Sequence, residues 1–251
     1  MNQYLENLSK IEFAITYACN GRCKHCSEGD HELFKEVIDK KIAVDAVRKI
    51  SREYGIKTAM VFGGEPLLFP DTVYAIIDAA REVGIPRRQV ITNGCFSSDK
   101  GRLSEVARRL SECGVNDLAV SADAFHQEFL SLDTVNLFIG EAKKHGIPTR
   151  LQPAWLRSPD DDNPYNRKTR EILAFLQKND VPVGDGNVIF PEGNALKYLS
   201  AYFEDVCPEN PYIEDPCNVK CISFSPNGDV FDGNIYKQDV MEIIKEYKPK
   251  R

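Results

Sequence analysis

Apolar positions along this chain follow two rhythms that alternate from one end towards the other. Short runs rich in β-branched and apolar residues, such as IEFAITY, TAMVF and LAVS, are followed by longer stretches whose apolar residues return every three or four positions. The pattern predicts strands over about 11–18, 57–62, 88–92, 117–121, 148–152 and 183–190, with helices filling the gaps. The helices carry their own stop signals. VDAVRKISREYG sets Val44, Val47 and Ile50 on one face and stops at Gly55, and the next two helical stretches end at Gly84 and Gly114. DTVNLFIGEAKKHG opens at Asp133, an N-cap type, and ends at Gly146 behind two lysines suited to a helix C-terminus. Each of these glycines suits the left-handed residue that closes a helix.

Strands that alternate with helices in this way imply βα units and a parallel sheet. The fold class expected is α/β. Six units are too few for a closed eight-fold barrel, so the expectation is a partial (β/α)6 TIM-like barrel. In either a barrel or an open sheet, chemistry gathers in the loops that leave the C-terminal ends of the strands. From Pro191 the character changes to short elements, a turn at SPNGDV and a lysine-rich tail, and Pro226, Asn227 and Gly228 predict a β-hairpin. The organisation expected is a core over residues 1–190 and a short C-terminal β-hairpin extension over residues 191–251.

Composition narrows the function classes. With 42% hydrophobic and 28% charged residues in 251, the chain has the balance of an ordinary globular protein able to bury a core. A net charge of −6 offers no basic field for a phosphate backbone, so no nucleic-acid partner is expected. The opening MNQYLENLSK has no apolar signal region, and no apolar run approaches the roughly 18 residues that span a bilayer. No membrane partner and a cytoplasmic location are therefore expected. In a reducing compartment, eight cysteines, three near each end with Cys95 and Cys113 alone, read as metal or redox chemistry rather than as disulfides.

The cysteines that stand out are Cys19, Cys23 and Cys26, a CxxxCxxC set directly after the first predicted strand. Three thiolates at one strand end suggest a metal site, and the local set stops one short of the four that normally hold a 4Fe–4S cluster. The mouths of the following strands carry small and polar residues. The second ends in Gly63, Gly64, Glu65 and Pro66, the third in Thr92 and Asn93, and the fourth in Ser121, Asp123 and His126. Taken singly, each reads as a tight turn, an Asx turn or a helix cap. Taken together, they occupy the places where a parallel sheet presents a ligand site. No GxSxG elbow accompanies Ser121, so a hydrolase triad is not inferred, and His126 is read as a cap or pocket residue.

CxxxCxxC after the first strand, GGEP after the second, TNG after the third and SxD after the fourth together resemble the radical S-adenosylmethionine (AdoMet) superfamily over roughly the first 150 residues. The resemblance implies that Cys19, Cys23 and Cys26 bind three irons of a 4Fe–4S cluster whose fourth iron chelates the amino and carboxylate groups of S-adenosyl-L-methionine. Gly63, Gly64 and Glu65 match the motif that holds the methionyl amino group. Ser121 and Asp123 match positions that contact ribose or carboxylate, Asn93 belongs to the TNG strand end, and His25 matches a position near adenine. Gln152 and Arg150 on the fifth strand, TRLQPAW, are brought towards the mouth by alternation, where either could meet the AdoMet carboxylate. Gly184, Gly186 and Asn187 could admit adenine closely. Trp155 reads as core packing or a substrate platform, and Asp160, Asp161 and Asp162 as a solvated helix cap.

Two rival readings stay open for the cysteines: a zinc site with His25 as a fourth ligand, and an inert structural cluster. Further on, Cys207, Cys217 and Cys221 precede FSPNGDVF, and that arrangement resembles a degenerate SPASM or twitch extension. Such extensions hold an auxiliary iron–sulfur cluster. The cysteine that usually follows the hairpin is missing here, so Asp232, a distant cysteine, substrate or solvent would have to complete one, and buried thiols are the alternative. One of these thiols, or Cys95, could instead supply a hydrogen atom to a substrate radical.

The function expected is reductive cleavage of AdoMet to a 5′-deoxyadenosyl radical that abstracts hydrogen from a substrate. The leading substrate is a ribosomally made peptide undergoing maturation, with a small molecule next and a non-catalytic iron–sulfur or zinc binding protein as the remaining alternative. An external one-electron reductant such as flavodoxin or ferredoxin is the implied partner. No residue is assigned as catalytic.

Overall fold

A computed structural model describes residues 2–29, 35–205 and 207–250. The strands are β1 (Lys10–Ala14), β2 (Thr58–Phe62), β3 (Arg87–Thr92), β4 (Asp117–Ser121), β5 (Thr149–Gln152), β6 (Ala154–Trp155), β7 (Asn187–Val188), β8 (Cys221–Phe224), β9 (Asp229–Val230) and β10 (Gly233–Asn234). The helices are α1 (Lys40–Glu53), α2 (Pro70–Glu82), α3 (Lys100–Cys113), α4 (Ala124–Gln127), α5 (Leu132–Lys144), α6 (Pro164–Leu176), α7 (Gly193–Leu199) and α8 (Val240–Glu246).

The main sheet has six strands in the order β5-β4-β3-β2-β1-β8, and every neighbouring pair is parallel. Helices α1, α2, α3 and α5 pack side by side over its outer face. This is the expected α/β architecture, a partial TIM-like barrel. The core runs from the buried strand residues Ile11, Phe13, Ala59, Val61, Val90, Leu118 and Val120 to the inward stripes of the helices, including Val47, Ile50, Ile76, Ile77, Leu110 and Phe138. Among the described residues, no helix is long and apolar enough to cross a membrane.

The sixth strand of the sheet is not the one the sequence predicts. The predicted strand over about 183–190 runs beside the fifth strand only in fragments: Val183 makes one bridge to Leu151, and β7 pairs with the two-residue β6. Gly184 and Gly186 interrupt it, and a Cβ on Gly186, at φ +77°, would come within 2.4 Å of the Pro153 carbonyl. The regular partner on the far side is β8, drawn from the C-terminal segment and paired with β1 from Lys10↔Cys221 to Phe13↔Phe224. That last pair stacks its rings 4.7 Å apart at 11°, buried on the core side. Helix α8 then lies on α1, where Lys49 bridges Asp45 at 2.6 Å and Asp239 at 2.5 Å.

Four local expectations also differ. The hairpin ladder joins β9 to β10, not the strands around Pro226, Asn227 and Gly228. Those residues form the preceding turn, closed by Gly228 N–H to the Ser225 carbonyl at 2.9 Å. Helix α5 is capped by Ser131, whose hydroxyl accepts from Thr134 N–H, two residues ahead of the expected Asp133. Helix α6 is capped by Asn163 rather than by the aspartates before it, because Asp161 and Asp162 are engaged with Arg157 and Arg167. Gly114 closes α3 in the left-handed region as expected, but α1 ends on an extended Tyr54 without using Gly55 in that way.

Candidate active site

The first strand hands the chain to the cysteine loop through residues 16–18, and these rest on the two glycines that follow β2. Gly64 N–H donates to the Thr16 carbonyl at 2.7 Å, and Glu65 N–H donates to the Ala18 carbonyl at 2.8 Å. A Cβ on Gly63, at φ +141°, would lie 2.3 Å from Thr16 O, and one on Gly64 would lie 2.2 Å from Ala18 O. Only glycine fits beneath this strap. The GG pair therefore sets where Cys19 leaves the sheet.

Cys19, Cys23 and Cys26 line one cavity together with Gly21, His25, Phe62, Gly63, Gly64, Ile91, Thr92, Asn93, Ser121 and His126. This cavity, of about 130 Å³, opens at the C-terminal ends of β2, β3 and β4. A larger cavity of about 350 Å³ lies among the outer helices around Lys40, Asp71 and Arg109, away from the strand ends. Size is a poorer guide here than chemistry.

The donor set fits an iron–sulfur cluster. The point where a Gly21 Cβ would sit is 3.4 Å from Cys23 Sγ and 3.6 Å from Cys19 Sγ, so the glycine keeps the space between the thiols clear. Burial pushes the Cys19 thiol up to about 11 and the Cys23 thiol further above the ordinary thiol value, with neighbouring acidic groups adding to both. Thiols bind metal as thiolates, so a bound cationic centre is what would drive off the protons. No fourth cysteine lines this cavity among the described residues.

Behind the cavity wall, two buried carboxylates fix the strand ends. Glu65 is fully buried and accepts from Leu67 N–H at 2.9 Å, the Thr92 hydroxyl at 2.7 Å and Asn93 N–H at 2.7 Å. Burial pushes it up to about 7 against the pull of those hydrogen bonds. Asn93 in turn donates to Asn20 Oδ1 at 2.9 Å and lies 3.9 Å from Cys19 Sγ, linking β3 to the cysteine loop. Asp123, also fully buried, caps α4 by accepting from Phe125 N–H and His126 N–H, and its other oxygen meets Ala154 N–H and His126 Nδ1. Burial pushes the Asp123 carboxyl up, but the His126 imidazole facing it holds it down at about 2.

The predicted site residues thus separate into two groups. His25, Gly63, Gly64, Asn93 and Ser121 face the cavity with the three cysteines, whereas Glu65 and Asp123 turn their carboxylates to backbone N–H groups just outside it. Gln152 sits opposite Ser121 in register but accepts a short hydrogen bond from Arg150 and is not among the lining residues. Trp155 is buried in the core, its indole N–H given to the Asp185 carbonyl at 3.1 Å. Of the C-terminal cysteines, Cys207 and Cys217 are exposed, and Cys221 begins β8 beside Glu12, where burial pushes its thiol up. Among the described residues they join no group of three side chains able to hold one metal ion, and Asp232 pairs with Lys250 at the surface.

Sequence reasoning missed Gly193 and Asn194. At the start of α7, Asn194 is buried, its N–H donates to the Cys26 carbonyl at 2.8 Å, and its side-chain amide donates to the Cys23 and Gly29 carbonyls at 3.3 Å each. Gly193, at φ +51°, passes so close that a Cβ would lie 2.3 Å from Ser27 O. These two residues clamp the later part of the cysteine loop, whereas Gly63 and Gly64 hold the residues that lead into it. A Gly-Asn pair at a helix start reads locally as a cap, and nothing near it in sequence points to the loop.

Comparison with known proteins agrees with this geometry. A probable GTP 3′,8-cyclase of Saccharolobus solfataricus is 27% identical over 219 residues, covering 79% of this chain and 66% of that protein. One of Sulfolobus acidocaldarius is 31% identical over 157 residues, covering 59% and 47%. The chain therefore spans just under two thirds of the length of the first relative and about half of the second. Among solved structures, native anSMEcpe with bound AdoMet superposes with a TM-score of 0.60 at 14% identity, covering 95% of this chain and 80% of that one. BtrN in complex with AdoMet and 2-DOIA gives 0.52 at 19%, covering 94% and 81%. These two share the fold. The Radical SAM superfamily model matches residues 13–192, which include all three loop cysteines and every strand mouth described above, and the chain belongs to that superfamily of enzymes, which use a 4Fe–4S cluster and AdoMet.

Proposed function

We propose that this chain holds a 4Fe–4S cluster on Cys19, Cys23 and Cys26 and uses it to cleave AdoMet reductively, starting a hydrogen abstraction from substrate. The observation that carries this reading is the cavity itself: three thiols, no fourth cysteine among the described lining residues, and polar strand ends opposite them. When bound, the cluster and AdoMet supply one-electron cleavage of the sulfonium and a 5′-deoxyadenosyl radical. The rest falls to the chain. Gly63 and Gly64 keep the backbone close, Asn93, Ser121 and His126 offer polar side chains, and Phe62 and Ile91 give an apolar wall that limits water. Glu65 and Asp123 act one layer back, holding the strand ends and His126 in place. In this reading residues 1–190 form the core and residues 191–251 an extension that completes its sheet through β8.

For the substrate, kinship in sequence supports a small molecule, because the relatives at 27% and 31% identity are named as probable GTP 3′,8-cyclases. A maturing peptide is the second reading. Its support is the anSMEcpe structure that holds AdoMet and a peptide, which shares the fold at 13% identity. We place the small molecule first, since fold likeness alone does not carry a substrate. An external flavodoxin or ferredoxin is the proposed electron source. The test is anaerobic reconstitution with iron and sulfide, reduction, and measurement of 5′-deoxyadenosine, followed by deuterium transfer from labelled nucleotides and peptides. Release no greater than that of a Cys19→Ala variant would end the reading.

A further inference from the structure

A second set of ligand atoms converges in the wall of the same cavity. Cys23 Sγ and one ring nitrogen from each of His25 and His126 all lie within 4.8 Å of one another, a group formed by two residues of the cysteine loop and one of α4. Two separate observations mark it as a place for a ligand. The Nδ1 atom of His25 is shut off from solvent and has no hydrogen-bond partner among the described residues. A buried ring nitrogen left in this way costs stability unless something fills it.

The second observation concerns His126. Its Nδ1 lies 2.8 Å from Asp123 Oδ2, inside a carboxylate already fixed by three backbone N–H groups. An ionised carboxylate can only accept, so Nδ1 carries the hydrogen, and it is the neutral ring that presents the Nε2 lone pair to a cation. Carboxylates orient metal-binding imidazoles in this way. One thiol and two imidazoles make a donor set suited to tetrahedral, borderline-soft divalent cations.

We propose that the cluster-free chain binds one divalent cation of the zinc class through Cys23, His25 and His126, with the fourth position open to water. Binding displaces the Cys23 thiol proton to solvent. The site rests on the proposed cluster reading in one respect: Cys23 belongs to both, so this cation and a complete 4Fe–4S cluster exclude each other. A cation held here occupies the cysteine loop before the cluster is built and competes with its assembly.

Cobalt(II) added to the cluster-free, full-length protein tests this without AdoMet, reductant or turnover. The expected result is one cobalt per chain, with tetrahedral ligand-field bands and a thiolate charge-transfer band. His25→Ala and His126→Ala should abolish the tetrahedral spectrum, Asp123→Asn should weaken binding about 10–100-fold, and Cys19→Ser and Cys26→Ser should leave the spectrum in place. The reverse pattern, loss with Cys19→Ser or Cys26→Ser and retention with both histidine variants, would assign the metal to the three cysteines and overturn the proposal. No uptake by the wild-type chain would also overturn it. X-ray absorption of the cobalt-loaded wild type guards against misfolded variants, since one sulfur with two imidazoles is expected and a three-sulfur shell would refute the site. Reconstituted holoenzyme should take up no cobalt. A chain that passes these tests but releases no 5′-deoxyadenosine would sink the enzymatic reading and leave the cation site standing.

Discussion

The Thr92 hydroxyl donates to Glu65 Oε1 at 2.7 Å, both groups fully or almost fully buried, and this bond ties the end of β2 to the end of β3 directly behind the cysteine loop. Because the same carboxylate also takes Asn93 N–H and Leu67 N–H, Glu65 acts as a staple with three donors. The loop that carries Cys19 rests on this staple through Glu65 N–H and the Ala18 carbonyl.

Its burial makes the staple pH-dependent. Glu65 is raised from its ordinary value of 4.5 to about 7, so the folded state favours the protonated form. The stabilisation is fully present below the unfolded value and is lost as pH rises through about 7, a change of about 3 kcal/mol at most. Glu65→Gln sets an amide N–H₂ against one of the donors and should cost about 1–3 kcal/mol at pH 5. Urea unfolding of the cluster-free protein should show the gap between wild type and variant closing between pH 5 and about 8. A constant gap would mean that Glu65 does not titrate in this range.

The cysteines divide by position. Alanine at Cys19, Cys23 or Cys26 should remove the reconstituted iron–sulfur absorption and all AdoMet cleavage, whereas Cys207→Ser and Cys217→Ser, at exposed positions, should retain about four irons per chain. Iron and sulfide analysis after anaerobic reconstitution decides it. Loss of iron with either exposed variant would bring back an auxiliary cluster.

How far the sequence reaches depends on whether the partner of a residue lies nearby. Strands β1 to β5 and their helices are legible because period 2 and period 3.6 are local properties, as the buried faces of Val47 and Ile50 on α1 bear out. The three cysteines and the glycines at the strand mouths are legible for a related reason: a loop after a strand can be placed without knowing what it touches. The inward turn of Glu65 and Asp123 is not, because their partners Asn93 and Ala154 are fixed only once the neighbouring strands pair. Asn194 is hidden more deeply, since its partners lie at the other end of the barrel sequence. Strand β8 fails for shortness. Four residues, CISF, carry too little period to stand out from a loop, and their place shows only in the pairing with β1 and the stack on Phe13.

That stack makes the C-terminal segment part of the core. Phe224 is fully buried against Phe13, and Phe224→Ala should cost about 3–5 kcal/mol, read as a lower urea midpoint with the slope unchanged. Ending the chain at residue 190 should be more severe, because it uncovers the whole edge of β1 and the face of α1 beneath α8. A truncated chain that still unfolds cooperatively would show that the sheet is stable without β8.

Asn194 offers the sharpest test of the loop clamp, because its side-chain amide donates to two backbone carbonyls of that loop. Asn194→Ala keeps the N–H bond to the Cys26 carbonyl but releases the Cys23 and Gly29 carbonyls, and a loss of about 1–2 kcal/mol is expected. The larger effect should fall on the cluster, whose ligands sit on the freed segment. Iron release to a chelator should quicken several-fold in Asn194→Ala, while the far-UV spectrum of the cluster-free protein stays unchanged. Gly193→Ala should be worse, since a Cβ at φ +51° meets Ser27 O at 2.3 Å and must push the loop away. If both variants hold iron as firmly as wild type, the loop keeps its shape without α7, and the clamp is packing alone.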